Sequence, residues 1–103
     1  MSRFDNVSVV REANIYFDGQ VTSRSVIFQD GSRKTLGIML PGEYEFNTDE
    51  TELMEIVPGN LDVLLPASEW QGIKAGESFE VPAESKFQVR VINITDYCCS
   101  FIS

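Results

Sequence analysis

Apolar and polar residues alternate along most of this chain, in short runs separated by turn-prone pairs. A period of two residues is typical of β-strands that bury one face. Asp18-Gly19, Asp30-Gly31, Pro41-Gly42 and Pro58-Gly59 are the clearest turn signals between runs. No segment shows the 3.6-residue period of an amphipathic helix. The pattern therefore predicts roughly nine short strands that form an all-β sandwich or barrel.

Each predicted strand lies between two turn signals. The predicted strands cover residues 15–17, 21–28, 35–40, 44–46, 53–57, 61–65, 79–81, 87–92 and 97–102. Residues 67–74 are predicted to form a loop, which carries Trp70, the only tryptophan. Residues 1–13 are predicted to be an N-terminal arm or edge segment, and residues 14–103 a single domain.

The charge of the chain restricts its partners. Sixteen acidic residues against eight basic ones give a net charge of −8. Nucleic acids and anionic membranes need a basic face, so neither is an expected partner. An anionic substrate would need a local cationic pocket. A hydrophobic content of 43% indicates a globular chain rather than a disordered one.

Targeting signals and cysteines bear on the compartment. No apolar run approaches the roughly 20 residues that span a bilayer, and the first residues lack the apolar core of a signal peptide. The two cysteines, Cys98 and Cys99, are adjacent, and neighbouring residues seldom reach disulfide geometry. We therefore predict a cytoplasmic protein with reduced thiols. Without any histidine to activate them, these thiols are expected to pack rather than act as nucleophiles.

Two stretches of the chain share a characteristic spacing. Six residues separate Glu52 from Gly59, and five separate Gly76 from Pro82. This spacing resembles the two motifs of the cupin fold, a small β-barrel of the double-stranded β-helix or jelly-roll type. The resemblance implies that Glu52 points into the barrel.

The resemblance also bears on metal binding. Metal-binding cupins place histidines at positions that fall here at or next to Phe46, Thr48 and Phe87, and this chain has no histidine at all. Imidazole is a preferred ligand of transition metals in such sites. We therefore predict a cupin barrel without the usual metal site and without a tightly bound transition metal.

Further motifs follow in order along the chain. They are Tyr16-Phe17-x-Gly19, Val21, Ser23, Arg33, Gly37-x-Met39, Gly42-Glu43-Tyr44-x-Phe46, Glu52-x-Met54, Gly59-x-Leu61-x-Val63-Leu64-Leu65-Pro66, Trp70, Gly76-x-x-Phe79-x-Val81-Pro82, Ser85-x-Phe87 and Tyr97-Cys98. In order and spacing they resemble the small cupin-type pyrimidine/purine nucleoside phosphorylase family over residues 14–103. The resemblance implies phosphorolysis of many nucleosides to the free base and α-D-ribose 1-phosphate. It implies no metal or cofactor, with inorganic phosphate as the second substrate.

Such a reaction makes three demands on a site. Phosphate must be held against C1′ of the sugar, which calls for a cationic donor, ideally a forked guanidinium. The sugar passes through an oxocarbenium-like state that a nearby carboxylate stabilises. The leaving base must also be bound. An aromatic face suits purines and pyrimidines alike, because every base has a π-face.

Charged residues are the candidates for the first two demands. Arg33 follows the Asp30-Gly31 turn and occupies the family's arginine position, so the resemblance implies phosphate binding; a solvated hairpin charge is the alternative. Arg24 is a second candidate anion ligand. Glu52 is the candidate catalytic carboxylate, because an inward carboxylate is costly unless it is used or paired. A salt bridge to an arginine is its structural alternative.

Aromatic and hydroxyl residues are the candidates for binding the nucleoside. Tyr44, Phe46 and Phe87 share the inward parity, where they serve as core or stack on a base. Thr48 is a candidate for a hydrogen bond to the sugar, or alternatively caps a turn. Trp70 covers the pocket, packs beneath a rim or contacts another subunit; the sequence leaves these three open.

Three classes of function remain at this point. The first is a metal-independent nucleoside phosphorylase. The second is a non-catalytic cupin that binds a small metabolite, and the third is a structural or partner-binding domain with a solid core. A homodimer is expected in each case, because a small open barrel leaves strand edges bare that a second copy would protect.

Overall fold

The computed structural model describes residues 2–102. Met1, the first residue of the predicted N-terminal segment, and Ser103, the last residue of the predicted domain, lie outside the described residues. These residues form eleven strands and one short 3₁₀ turn, Phe17–Gly19, and contain no α-helix. The strands are β1 (Ser8–Val9), β2 (Asn14–Tyr16), β3 (Val21–Ile27), β4 (Arg33–Met39), β5 (Gly42–Asn47), β6 (Thr51–Ile56), β7 (Asn60–Leu64), β8 (Trp70–Lys74), β9 (Ser78–Val81), β10 (Lys86–Val91) and β11 (Thr95–Ile102).

Two antiparallel sheets contain all of these strands. The larger sheet has the order β1-β3-β4-β11-β6-β9, and β2 also pairs with β3. The smaller sheet has the order β5-β10-β7-β8. The buried core draws residues from both sheets, so it lies between them. This is the cupin barrel that the spacing of the sequence motifs predicted.

Alternation along each strand sets which residues enter the core. On β10, Phe87, Val89 and Val91 are buried while the residues between them are exposed. On β5, Tyr44 is buried and pairs with Val89, and Phe46 pairs with Phe87. The predicted inward parity of Tyr44, Phe46 and Phe87 is therefore confirmed. Burial of such a face stabilises the fold by roughly 25 cal/mol per Å² of apolar surface.

The predicted loop over residues 67–74 is wrong, because its second half is strand β8. β8 pairs with β7, and Trp70 lies opposite Leu64. Of its residues only Ile73 is buried, since β8 is an edge strand that covers the core with one side chain. Its two apolar side chains, Trp70 and Ile73, are three residues apart, so they do not alternate with the period of two that reveals a strand from sequence. Trp70 packs on the outer side of the smaller sheet, where the guanidinium carbon of Arg90 lies 3.9 Å from its ring centroid.

Other strand boundaries differ from prediction by a few residues. β4 begins at Arg33 rather than at Thr35, and Arg33 pairs with Ile27 across the hairpin. β11 begins at Thr95 rather than at Tyr97. Both strands begin with polar residues, and the hydrophobic pattern does not reveal the backbone pairing of polar residues. Arg33 therefore extends from a paired strand rather than from a free turn.

The outer face of the larger sheet is partly apolar. Leu36 and Ile38 on β4 alternate with the buried Thr35 and Met39, and both are exposed. Leu53 on β6 continues this apolar strip on the other side of β11. No helix within residues 2–102 combines the length and the apolar character that crossing a membrane requires.

Candidate active site

A cavity of about 170 Å³ lies between the two sheets. Most of its walls come from the larger sheet, and β5 and β10 of the smaller sheet supply the rest. The lining residues are Tyr16, Ser23, Thr35, Met39, Phe46, Asn47, Glu52, Met54, Phe87, Tyr97, Cys99 and Phe101. One carboxylate therefore shares this space with several aromatic rings and hydroxyl groups.

Aromatic rings form one wall of the cavity. The rings of Phe46 and Phe87 stack with their centroids 5.5 Å apart and an angle of 27° between their planes. Phe17 contacts Phe46 edge-on, with 5.5 Å between ring centroids. Phe46 is only partly buried, so part of its ring remains open to the cavity. Such a wall can stack on a planar heterocycle.

Glu52 is the carboxylate of the cavity. It lies on β6 opposite Phe101 on one side and Val81 on the other. The Cys99 thiol donates a hydrogen bond to Oε1 of Glu52, with 3.5 Å between sulfur and oxygen. Burial raises the pKa of Glu52. The Cys99 hydrogen bond opposes that rise, and the charges of Glu50 and Asp49 add to it.

Arg33 stands beside the cavity on β4. Its guanidinium carbon lies 4.2 Å from the centroid of the Phe101 ring, which does line the cavity. Among the described residues Arg33 has no ion pair within 4.0 Å, so the predicted alternative of a salt bridge to Glu52 is not formed. Its charge still acts weakly to lower the pKa of Glu52. Its nitrogen donors thus remain available to an anion.

Hydroxyl groups form the wall opposite the aromatic rings. Tyr97 on β11 and Ser23 on β3 both lie opposite Gly37 of β4, and burial strongly raises the pKa of the Tyr97 phenol, which stays protonated. Asn14 donates from Nδ2 to the Ser23 hydroxyl oxygen at 3.2 Å. Thr35 completes this polar wall. Protonated hydroxyls of this kind can donate to and accept from the hydroxyl groups of a sugar.

Comparison with known proteins places this chain in a family. The family model described as pyrimidine/purine nucleoside phosphorylase matches residues 11–101. This chain belongs to that family. It is 65% identical over 102 residues to the pyrimidine/purine nucleoside phosphorylase of Chlorobium chlorochromatii, covering 99% of each chain. It is 67% identical over 103 residues to that of a Sulfurovum species, covering 99% of this chain and 100% of the other.

A solved structure shows the same architecture. A protein of unknown function from Acinetobacter sp. ADP1 matches with a TM-score of 0.94 and 38% identity. The match covers 97% of this chain and 98% of that one. The family assignment and the cupin fold therefore agree with the identification made from sequence motifs.

The structure brings together three of the residues that the sequence singled out. Glu52, Phe46 and Phe87 line the cavity, and Arg33 stands beside it. Sequence reasoning assigned no role to Tyr97, Cys99 or Phe101, which also line it. These three alternate along β11, and the same period-two parity that located Phe87 would have placed them on one face.

Two predicted site residues are used within the fold. The buried Thr48 hydroxyl donates to the Pro82 carbonyl at 2.7 Å and accepts from the Ser85 amide at 3.0 Å. It therefore joins the β5–β6 turn to the β9–β10 turn, which is the alternative of capping a turn rather than that of binding the sugar. The Tyr44 hydroxyl donates to the Leu40 carbonyl at 2.7 Å, so Tyr44 serves the core.

Two others lie on outer surfaces. Arg24 points away from the core on β3 and donates from Nε to the Arg11 carbonyl at 3.3 Å. Trp70 lies on the outer side of the smaller sheet beneath Arg90. Neither is among the described residues that line the cavity. Both side chains have the outward parity of their strands. Of the three roles left open for Trp70, its position does not favour covering the pocket, and the role of Arg24 as an anion ligand stays a prediction.

Proposed function

We propose that this chain is a metal-independent nucleoside phosphorylase that acts on both purine and pyrimidine nucleosides. It transfers the ribosyl group to inorganic phosphate, giving the free base and α-D-ribose 1-phosphate. The observation that carries this proposal is the placement of Glu52 inside an aromatic-walled cavity, with the guanidinium of Arg33 at its side. That guanidinium forms no ion pair with any residue from 2 to 102. Membership of the pyrimidine/purine nucleoside phosphorylase family supports it.

The aromatic wall accounts for broad base specificity. A base stacks against Phe46 and Phe87, whose contact does not depend on the pattern of donors and acceptors at the base edge. The cavity of about 170 Å³ offers space for a base against these rings. In this proposal the sugar lies beside Glu52 and the phosphate beside Arg33. A domain with a solid core would not offer this space.

Arg33 holds the phosphate. In a protein of net charge −8, a dianion depends on a few local donors, and a guanidinium fork binds two phosphate oxygens at once. With phosphate fixed beside the cavity, one of its oxygens is placed to attack C1′ of the bound sugar. This positioning accounts for much of the expected rate acceleration.

Glu52 faces the sugar as the reaction proceeds. A new bond forms between a phosphate oxygen and C1′ while the bond from C1′ to the base nitrogen breaks. The electron pair of that bond leaves with the base, which takes up the proton that the hydrogen phosphate gives up. Positive charge develops on the sugar ring between these events. The Glu52 carboxylate stabilises that charge inside a partly desolvated cavity, where electrostatic effects are stronger than in water.

The donor set of the chain suits chemistry without a metal. Among the described residues, no three His, Cys, Asp or Glu side chains lie close enough together to hold a metal ion. The roles that a metal would fill, anion binding and charge stabilisation, fall to Arg33 and Glu52 in this proposal. Inorganic phosphate is the only co-substrate that it requires.

The protein works as a cytoplasmic homodimer in this proposal. The apolar strip of Leu36, Ile38 and Leu53 on the larger sheet is flanked by Arg24 on the β3 side and Glu80 on the β9 side. A two-fold axis along β11 would place the basic flank of one copy on the acidic flank of the other. Such an isologous contact is complementary to itself.

Turnover with and without phosphate tests the proposed activity. Purified protein is incubated with a mixture of purine and pyrimidine nucleosides, and base release is followed with and without phosphate. We expect release only with phosphate. Binding without any turnover would contradict the proposal and favour a non-catalytic metabolite-binding cupin, whereas the absence of both would favour a structural domain.

Two variants with a matched control test the residue roles. Arg33→Ala should raise the KM for phosphate more than that for nucleoside and lower kcat/KM by about ten- to hundredfold. Glu52→Gln should lower kcat, because the shape is kept and the charge is lost. Arg90→Ala removes an exposed arginine from the opposite sheet and should behave as wild type. Wild-type kinetics in all three folded variants would contradict these assignments.

A further inference from the structure

Cys99 occupies a defined place in the cavity. It lies on β11 with Thr35 of β4 on one side and Met54 of β6 on the other, and it is only 4% exposed. Its sulfur is 3.5 Å from Oε1 of Glu52. Cys98, the preceding residue, points to the other side of the sheet and lies opposite Glu55 of β6.

The thiol of Cys99 stays protonated and acts as a donor. Burial is the main cause that raises its pKa, and the negative charge of Glu52 raises it further. The hydrogen bond from this sulfur to Glu52 runs from β11 to β6, which are paired strands. A donor fixed by strand pairing can set the direction of the carboxyl group.

We propose that Cys99 is a positioning residue that holds the Glu52 carboxylate toward the sugar and favours its ionised form. This inference rests on the proposed function, in which Glu52 stabilises charge on the sugar. The thiol itself contacts neither substrate nor phosphate in this role. It acts by donating a proton in a hydrogen bond that is stronger when Glu52 is charged.

Several other charged or titratable groups face Glu52 and also affect the equilibrium between its protonated and ionised forms. They are Asp49 and Glu50 from the preceding turn, Arg33 from β4 and Tyr97 from β11. None of them changes when Cys99 is replaced. A change in the titration of Glu52 in a Cys99 variant therefore reports the loss of the thiol contact.

Three replacements of Cys99 test the inference. Cys99→Ala and Cys99→Val remove the donor, the second while filling the space, and Cys99→Ser keeps a donor. Cys98→Ala is the matched control, because it removes the neighbouring buried thiol from the outward side of the same strand. Thermal melts establish that each variant is folded, and if Cys99→Ala does not fold, Cys99→Val carries the same comparison.

Two measurements separate the inference from the proposed function. The first is the titration of Glu52 by NMR of protein labelled with ¹³C at the glutamate carboxyl groups, assigned by the signal lost in Glu52→Gln. This needs no turnover. The second is the pH profile of kcat/KM. We expect the Glu52 pKa and the acid limb of the profile to move upward in Cys99→Ala and Cys99→Val, and to return in Cys99→Ser.

The expected loss is about three- to tenfold in kcat/KM on the acid limb for the variants without a donor. The inference is overturned if the Glu52 pKa in these variants matches that in Cys98→Ala, or if that pKa moves while the pH profile does not. A shifted Glu52 pKa in a protein that shows no phosphorolysis would overturn the proposed function and the catalytic role of the contact together. An unshifted pKa in an active enzyme overturns the inference alone.

Discussion

The guanidinium carbon of Arg33 lies 4.2 Å from the centroid of the Phe101 ring. Phe101 in turn lies opposite Glu52 in the register of β11 and β6. One ring thus separates the cationic group from the carboxylate and supports the guanidinium plane. A guanidinium held over a ring keeps its N–H groups pointing outward from its edge, ready for an anion.

Removing this support should weaken phosphate binding. We expect Phe101→Leu to raise the KM for phosphate by about two- to fivefold, because exposed cation–π contacts contribute about 0.5–1 kcal/mol. The KM for nucleoside should change less. Phe28→Leu is the control, since that ring lies near Lys34 and away from the cavity. Equal effects of both variants on phosphate would show that the Phe101 contact does not orient Arg33.

The titration of Glu52 should appear in the stability of the fold. Because burial raises its pKa above the ordinary value of 4.5, the native state binds this proton more tightly than the unfolded chain does. The resulting stabilisation is fully present below pH 4.5 and is lost as pH rises through the native pKa. Glu52→Gln should therefore be more stable than wild type at neutral pH, with the difference shrinking toward pH 4.

Chemical denaturation across this pH range measures the effect. Glu45→Gln, exposed on the outer side of β5 in the smaller sheet, controls for the loss of one negative charge. A stability difference between wild type and Glu52→Gln that is constant with pH would contradict the burial of an ionised Glu52.

Thr48 should matter for stability rather than for catalysis. Thr48→Val keeps the shape but leaves the Ser85 amide and the Pro82 carbonyl without their partner, which should cost about 1–3 kcal/mol of unfolding free energy. Thr48→Ser keeps the hydroxyl and should lose much less. Kinetic constants of folded Thr48→Val should stay near those of wild type. A large rise in the KM for nucleoside would instead restore Thr48 as a sugar ligand.

Gly37 is required by a close approach between β3, β4 and β11. A β-carbon added there would meet the Thr22 carbonyl oxygen and lie 2.7 Å from the Tyr97 hydroxyl. Gly37→Ala should therefore lower the unfolding free energy by roughly 1–3 kcal/mol. Gly72→Ala is the matched control, since the nearest atom, a carboxylate oxygen of Asp62, is 3.5 Å away. Similar melting temperatures for both variants would refute this account.

Assembly is testable through the outer face of the larger sheet. Light scattering should give twice the chain mass of 11.6 kDa at micromolar protein concentration. Leu36→Arg should reduce the mass toward that of a monomer, because it introduces a charge into the apolar strip. Gln88→Arg on the smaller sheet should remain dimeric. A wild-type monomer, or a dimeric Leu36→Arg, would contradict the proposed contact.

Much of the fold and part of the site follow from alternation and from the resemblance to the cupin motifs. Period-two alternation predicted the inward rings of Phe46 and Phe87, and the cupin resemblance implied that Glu52 enters the barrel. These predictions need only the parity of side chains along a strand. They hold because burying one face of a strand fixes the orientation of every second side chain.

The remaining features depend on which strands become neighbours. Phe101 and Cys99 belong to the site because β11 pairs with β4 and β6, and no local pattern specifies that order. The Thr48 hydroxyl is hydrogen-bonded to a turn that lies more than thirty residues further along the sequence. Trp70 points outward because β8 is an edge strand with a single buried residue. Tertiary pairing, rather than propensity, determines these positions.

The position of β11 also has a consequence for how the chain folds. β4 and β6 have no direct pairing in the larger sheet, and only β11 joins them. The two parts of the sheet therefore stay apart until residues 95–102 have been synthesised, and their contacts span long stretches of chain, which slows folding. Arg33 belongs to one part and Glu52 to the other. A chain without β11 lacks the strand that pairs with both of theirs.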